Sequence, residues 1–224
     1  AVDGDGNVIV ADTNNHRIRI VMASSEVTPL TPLGELPPVP PSTFTSDSMR
    51  HLDAGPFHDV CFVVEQTRLP AHRSVLSARC AYFSTMLSAG FRESDSPEIH
   101  IHGTSSAAFQ ALLKYLYADC MEVEEEVLFD LAKLCDLYQE ERLYNHCMRR
   151  LTKGITHENA VTQLIEAHAV EGGNLWQKLR RATMAYVTRN IRGIWRTAKL
   201  TLARLDTNRP DLYEQVLLDA ALRD

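Results

Sequence analysis

Several polar groups have the types and spacings that chemistry could use. Asp3-x-Asp5-x-Asn7 places oxygen ligands at alternate positions, as a calcium loop begins. Such a loop needs Gly at its sixth position and a bidentate Glu at its twelfth. Val8 and Asn14 stand there, so the acids are assigned to a turn. His100 and His102 share one face of an alternating segment, as two metal ligands require. No Cys or Asp at ligand spacing completes that set, and a half-exposed strand accounts for both. Ser74, Ser77, Ser84 and Ser88 fall on helical segments, with no Gly-x-Ser-x-Gly elbow near them. Cys61, Cys80, Cys120, Cys135 and Cys147 are odd in number and widely spaced, lie in apolar segments, and form no CxxC pair. They read as small hydrophobes in an intracellular protein rather than as a disulfide framework. No Walker loop, dinucleotide-binding turn or HExxH occurs. The expectation is a chain with no catalytic residue, cofactor or metal.

Charge adds two candidate surfaces. Glu122, Glu124, Glu125 and Glu126 cluster before a helix, either as a solvated helix start or as a partner contact. From Lys178 to Arg204 the chain holds Arg180, Arg181, Arg189, Arg192, Arg196 and Lys199 with no acid between. That stripe reads mainly as the wet face of amphipathic helices. The net charge of −6 argues against nonspecific nucleic-acid binding by the whole chain.

The 224 residues suit one large domain or two small ones. Hydrophobic residues at 45% and charged residues at 23% exclude wholesale disorder. No apolar run is long enough for a membrane span, and no signal peptide opens the chain. Without an initiator Met, Ala1 reads as a cut within a longer protein.

Four regions separate by composition. Residues 1–22 read as strand, turn, strand, and two strands alone cannot bury a sheet face. Residues 23–50 hold Pro29, Pro32, Pro37, Pro38, Pro40 and Pro41, the mark of a semi-extended linker. Residues 51–151 read as a compact mixed domain. Asp59–Val64 is a strand expected to be buried on both faces. Pro70 restricts the next strand to an edge. Arg73–Cys80 and Tyr82–Ala89 are short helices, with Gly90 at a C-terminal cap. Ile99–His102 is a strand, and Ser105 or Ser106 caps the helix that follows. Residues 152–224 read as all-helical, starting at a Thr156 cap. Leu175, Leu179, Ala182 and Tyr186 form a stripe that Ile194 and Trp195 close, and Asn208-Arg209-Pro210 makes a further break.

Asp59-Val60, Pro70-Ala71-His72-Arg73, Val75–Phe83, Met86-Leu87, Gly90–Ser94 and Phe109–Tyr117 occur in an order that resembles the BTB/POZ domain. The resemblance implies an α+β fold, a small three-stranded sheet capped by five helices. Residues 152–224 resemble the three-box or BACK extension of speckle-type POZ adaptors. Residues 1–21, with Asp5-Gly6-Asn7, Val10-Ala11-Asp12 and His16-Arg17-Ile18-Arg19, resemble part of an NHL repeat, the unit of a β-propeller. The family resemblance implies a non-enzymatic, intracellular protein (cytoplasmic, nuclear or both) that forms a homodimer. Asp59, His72 and Arg73 then fall near a charged pocket at the dimer interface. It also implies an adaptor that holds a cullin scaffold of a ubiquitin ligase, partly through a hydrophobic-x-acidic motif. Val123-Glu124-Glu125 has that pattern; an alternative register puts Val127-Leu128-Phe129 there. Phe91, Tyr117 and Tyr138 are further candidate contacts. An upstream propeller would hold an unknown protein substrate. The other reading is a BTB dimer that serves only as a structural or transcriptional scaffold.

Overall fold

The structure is a computed structural model and describes residues 1–21, 39–54, 57–88 and 96–222. It falls into two units, Ala1–Pro41 and Ser42–Asp224.

In the first unit, β1 (Val8–Asp12) and β2 (Arg17–Val21) pair antiparallel, with Val8 opposite Val21 and Asp12 opposite Arg17. The link is a single 3-10 turn, Thr13–Asn15, after which His16 turns the chain at a left-handed φ of 50°. Ahead of the hairpin, Asp3 Oδ1 accepts hydrogen bonds from the backbone of Asp5 (3.0 Å) and Asn7 (2.9 Å). The Asn7 side chain, donating to Oδ2, leads the bonds that hold the Asp3 carboxyl below its usual range. The first acid thus builds a turn. Val8, Val10, Ile18 and Val21 remain exposed, because two strands offer no second layer.

The second unit opens with α1 (Phe44–Ala54). The expected linker runs to residue 50, but no proline lies between Pro41 and residue 50, and Ser42 Oγ accepts the Phe44 amide at the helix start. Leu52 anchors this helix in the core. A three-stranded sheet follows, in the order β4–β3–β5. The central strand β3 (Val60–Val64) pairs antiparallel with β4 (Thr67–Ala71) and parallel with β5 (Glu98–Ile101). Pro70 lies on edge strand β4, where its missing N–H costs no ladder bond. Val60, Phe62 and Val64 are buried, whereas Cys61 and Val63 are half-buried. The all-apolar run suggested burial on both faces; only one is fully covered.

Helices α2 (Arg73–Arg79), α3 (Ala81–Met86), α4 (Ser106–Ala118), α5 (Leu128–Tyr138) and α6 (Glu141–Lys153) surround that sheet. Ser105 caps α4 by accepting the Ala108 amide. Asp119 and Gln139, both left-handed, end α4 and α5. Phe62, Phe83 and Phe109 form the aromatic centre, with Phe62 centroids 4.9 Å from Phe109 and 5.5 Å from Phe83. This is the expected α+β architecture.

Four helices complete the unit: α7 (Ala160–Ala169), α8 (Asn174–Thr197), α9 (Lys199–Asn208) and α10 (Pro210–Ala221). Thr156 and Asn159 exchange side-chain to backbone bonds one turn before α7, a capping-box arrangement that moves the helix start past Thr156. The buried stripe of α8 is Trp176, Leu179, Thr183, Val187 and Ile194. Thr183 and Val187 take the buried places expected of Ala182 and Tyr186; Ile194 is buried as expected, and Trp195 is exposed, with the Lys199 ammonium 5.2 Å from its ring centroid. Asn190 has non-helical angles and its amide donates to Tyr186 O, so α8 bends there, past the turn at which the stripe departs from the expected one. Thr183 is tolerated inside because its hydroxyl donates to Leu179 O.

Two cores result. Val161, Leu164, Val187, Leu205 and Val216 hold α7 to α10 together. Ala167, Trp176 and Leu179 instead join the core built on the sheet. Trp176 is fully buried, packs on Phe129 (5.2 Å between centroids), and donates its Nε1–H to Asp136 Oδ2 at 2.9 Å. Trp176→Ala should therefore cost about 3–5 kcal/mol in urea unfolding. Trp176→Phe should lose about 1 kcal/mol, chiefly the bond to Asp136.

Candidate functional site

The start of α2 gathers three of the residues singled out by sequence. Asp59 precedes β3 and points at the helix N-terminus, where its Oδ1 accepts the Arg73 amide at 2.7 Å. Arg73 Nε donates to Asp59 O at 3.3 Å, and its Nη2 donates to Ser96 O at 2.5 Å. The Asp59 side chain thus serves as a helix cap. His72, between them in the chain, turns the other way.

His72 is only 5% exposed. Its backbone N–H donates to Tyr117 Oη at 2.8 Å, and its Nδ1 lies 2.7 Å from the same oxygen. The phenol oxygen accepts the first bond, and its role toward Nδ1 follows the ring tautomer of His72. His72 Nε2 is buried without a partner. Above it lies His51 of α1, stacked at 3.9 Å between ring centroids and 18° between planes. Burial, followed by the neighbouring His51, lowers the His72 pKa below its ordinary 6.5; Asp59 opposes this and His58 adds to it. Burial pushes the Tyr117 phenol up to about 12.

The sequence-based contact residues divide. Tyr117 and Tyr138, candidate contacts for which core packing is the more common fate, are both buried. Tyr117 binds His72, and Tyr138 packs on Phe83 and Tyr82 at 5.1 and 4.5 Å. Apolar contact with the core decided their position. Phe91 lies outside the described residues. Val123 and Val127 are half-buried against the core, and the Val123 carbonyl accepts a bond from Arg150. Glu124 is exposed and precedes the 3-10 turn Glu125–Val127, while Glu125 pairs with Arg150. The acids of the motif face solvent; its hydrophobic residue is largely used inside.

The other chemical candidates resolve into structure. Burial pushes the Cys80 thiol up to about 11, away from reactivity. His100 and His102 are exposed, with rings 6.4 Å apart. Among the described residues, no group of three or more His, Cys, Asp or Glu is placed to hold a metal ion. Arg180 of the basic stripe donates to Ala167 O (2.8 Å) and to Val170 O, closing the end of α7. Lys178, Arg181, Arg189 and Arg196 are exposed. No helix among the described residues is long and apolar enough to cross a membrane. The His51–His72 stack is what sequence reasoning missed, because α1 was placed partly in the linker.

His72 binds a proton more weakly folded than unfolded, so the unfolded chain takes one up first as pH falls. The contribution is present above pH 6.5 and is lost below it, toward the lowered folded value. The midpoint of thermal unfolding should therefore drop between about pH 7 and pH 5. His51→Ala should flatten that drop by removing the stacked neighbour. Tyr117→Phe should cost about 1–3 kcal/mol at neutral pH by stranding two buried groups on His72.

Comparison with known proteins gives these units their relatives. The BTB/POZ domain model matches residues 49–155, and the NHL repeat model matches residues 1–21. Human BTB/POZ domain-containing protein 9 is 46% identical over 86 residues, which is 37% of this chain and 14% of that protein. Human Kelch repeat and BTB domain-containing protein 2 is 28% identical over 125 residues, 56% of this chain and 20% of that protein. The solved BTB domain of zebrafish PATZ1 aligns with a TM-score of 0.42 and 22% identity, over 50% of this chain and 89% of that one. This chain therefore matches a fifth or less of the length of these two curated relatives. It carries a BTB/POZ protein-interaction domain at residues 49–155, preceded by a partial NHL repeat at 1–21 and followed by a helical extension.

Proposed function

We propose that this chain belongs to a homodimeric substrate adaptor of a cullin-based ubiquitin ligase. The observation that carries this reading is the shared core of domain and extension. Trp176 of α8 sits among Phe129, Tyr144 and Asp136 of α5 and α6, so these helices and the extension hold one orientation. A rigid face of that size suits a scaffold subunit. Along it run the exposed acids Glu122, Glu124, Glu125 and Glu126. Self-pairing is supported at the other end of the domain. Phe44 at the start of α1 and Phe57 before β3 are 70% and 79% exposed, apolar surface that a second copy would cover.

The printed name of one relative pairs a BTB domain with Kelch repeats, and Kelch repeats build propellers. Here a BTB domain is paired with an NHL repeat. The proposed division of labour is that propeller blades hold a substrate protein while the BTB dimer holds the scaffold. Two arms per dimer would raise the effective concentration of substrate at the ligase. No residue of the chain is assigned a chemical step. The hydrophobic-x-acidic pattern occurs at Val123-Glu124-Glu125 and again at Phe91-Arg92-Glu93.

Calorimetric titration of the chain with the N-terminal domain of the third cullin tests this. Saturable binding is expected, weakened about tenfold or more by Phe91→Ala or by Glu124→Lys if either motif is a central contact. Absence of binding by a folded dimer contradicts the ligase reading and leaves a pairing scaffold.

A further inference from the structure

The basic stripe of α8 and α9 surrounds two apolar side chains that the fold leaves outside. Trp195, in the last turn of α8, is 58% exposed, and Leu200, in the first turn of α9, is 81% exposed. The backbone beneath them is fixed. The Ala198 amide donates to Ile194 O at 2.7 Å, and the Thr201 hydroxyl donates to Ala198 O at 2.7 Å. Ile194 before this elbow and Leu202 after it are buried in the second core. Trp195 and Leu200 are therefore held outward by packed helices. Side chains so exposed project from the surface and do not line a recess.

The charge along this stretch has one sign. Arg192 stands three residues before Trp195 and Lys199 four residues after it, both at helical-neighbour spacing, with the Lys199 ammonium 5.2 Å from the indole. Arg196 follows Trp195, and Arg204 lies one turn past Leu200 on α9. All four cations are exposed. Among the described residues, Arg196, Lys199 and Arg204 take part in no ion pair. Between Glu171 and Asp206 the chain holds eight of its 23 Lys and Arg residues and none of its 29 Asp and Glu residues. A chain of net charge −6 thus gathers positive charge in one stretch.

Apolar projections among cations call for a partner that is anionic and soft. Nucleic acid offers charge and a base for Trp195 to stack on, but Leu200, the more exposed of the two, has no ring. An acidic protein would need a preformed pocket for each projection. A lipid interface takes in Trp and Leu side chains wherever they stand, and its anionic headgroups meet Lys and Arg. We propose that the α8–α9 elbow docks this chain on an anionic lipid surface. Trp195 and Leu200 enter the headgroup region, and Arg192, Arg196, Lys199 and Arg204 lie against the anionic headgroups. Apolar insertion and a basic cluster are each weak alone, and together they give reversible attachment. The contact is peripheral and needs no helix that crosses the bilayer. It stands apart from the ligase reading, which uses neither α9 nor the end of α8.

Co-sedimentation of the full chain with vesicles tests this, using equimolar phosphatidylserine and phosphatidylcholine against phosphatidylcholine alone. The chain is expected to sediment with the mixed vesicles, at least about tenfold more strongly than with the neutral ones, and added salt should release it. Trp195→Ser with Leu200→Ser should weaken the binding about tenfold or more, and Arg196→Glu with Lys199→Glu should do the same. Both pairs face solvent, so circular dichroism of the variants should match that of the parent chain. Fluorescence locates the contact. Of the two tryptophans Trp176 is already fully buried, so a shift of emission to shorter wavelength on adding mixed vesicles reports on Trp195. No sedimentation with either vesicle, equal binding to neutral lipid, or binding that both folded variants retain would overturn the proposal. Tighter binding of polyuridylate that the same variants lose would assign the elbow to nucleic acid instead. The same emission shift on raising protein concentration without lipid would assign it to a second copy of the chain.

Discussion

One indole ring fixes the geometry of the whole Ser42–Asp224 unit. Trp176 belongs to the extension by sequence and to the sheet's core by contact. Its six-membered and five-membered rings fill the space between Phe129 and Tyr144, and its single donor is satisfied by Asp136. A large aromatic of this kind brings area and direction together: the apolar body must be buried, and the N–H permits few orientations. The remaining helices need only pack on α7 and α8. Leu202 and Leu205 of α9 and Leu212 and Val216 of α10 do so through a separate core. The close approach of Gly172 to the indole, where a Cβ would lie 2.1 Å from Trp176 Cδ1, shows how tightly this joint is closed.

At the opposite end of the domain the fixing element is polar. α1 is short and largely hydrophilic, with Leu52 its one fully buried hydrophobe among the described side chains. Its place on α4 is specified by His51 stacking on His72, and His72 is in turn held by Tyr117 of α4. Buried polar contacts of this kind add little net energy but strongly penalise alternatives, because each misplacement strands a donor or acceptor. The two ends of the unit thus differ in kind: a joint closed chiefly by apolar packing, and a histidine stack that responds to pH.

Much of the fold was legible because the relevant signals are local. Val60 to Val64 are continuously apolar and become the central strand; Pro70 demands an edge and occupies one. Ser105 caps, and Asn208-Arg209-Pro210 breaks, where their side chains and missing donor dictate. What was not legible depends on distant partners. The α8 stripe runs one residue out of the expected phase from Ala182 onward, because Thr183 enters the core with its hydroxyl donated to Leu179 O, a bond that residue types alone do not reveal. Core packing is the expected fate of Tyr117 and Tyr138, but their partners, His72 for one and Tyr82 and Phe83 for the other, come only from the fold. The His51–His72 pair lies across the start of the domain, and residues of the same type at such separation carry no sequence signature of stacking.

The structure therefore supplies a rigid body with two distinct ends, consistent with a module that meets one partner through the joint and another through α1. Self-association is the property on which the proposed function turns, because an adaptor that brings two substrate arms to a scaffold must first pair. Sedimentation equilibrium of the chain across a range of concentrations measures it directly. The predicted result is a species of twice the chain mass that persists on dilution, reduced to monomer by Phe44→Ser with Phe57→Ser. A folded species of single chain mass at every concentration would contradict it.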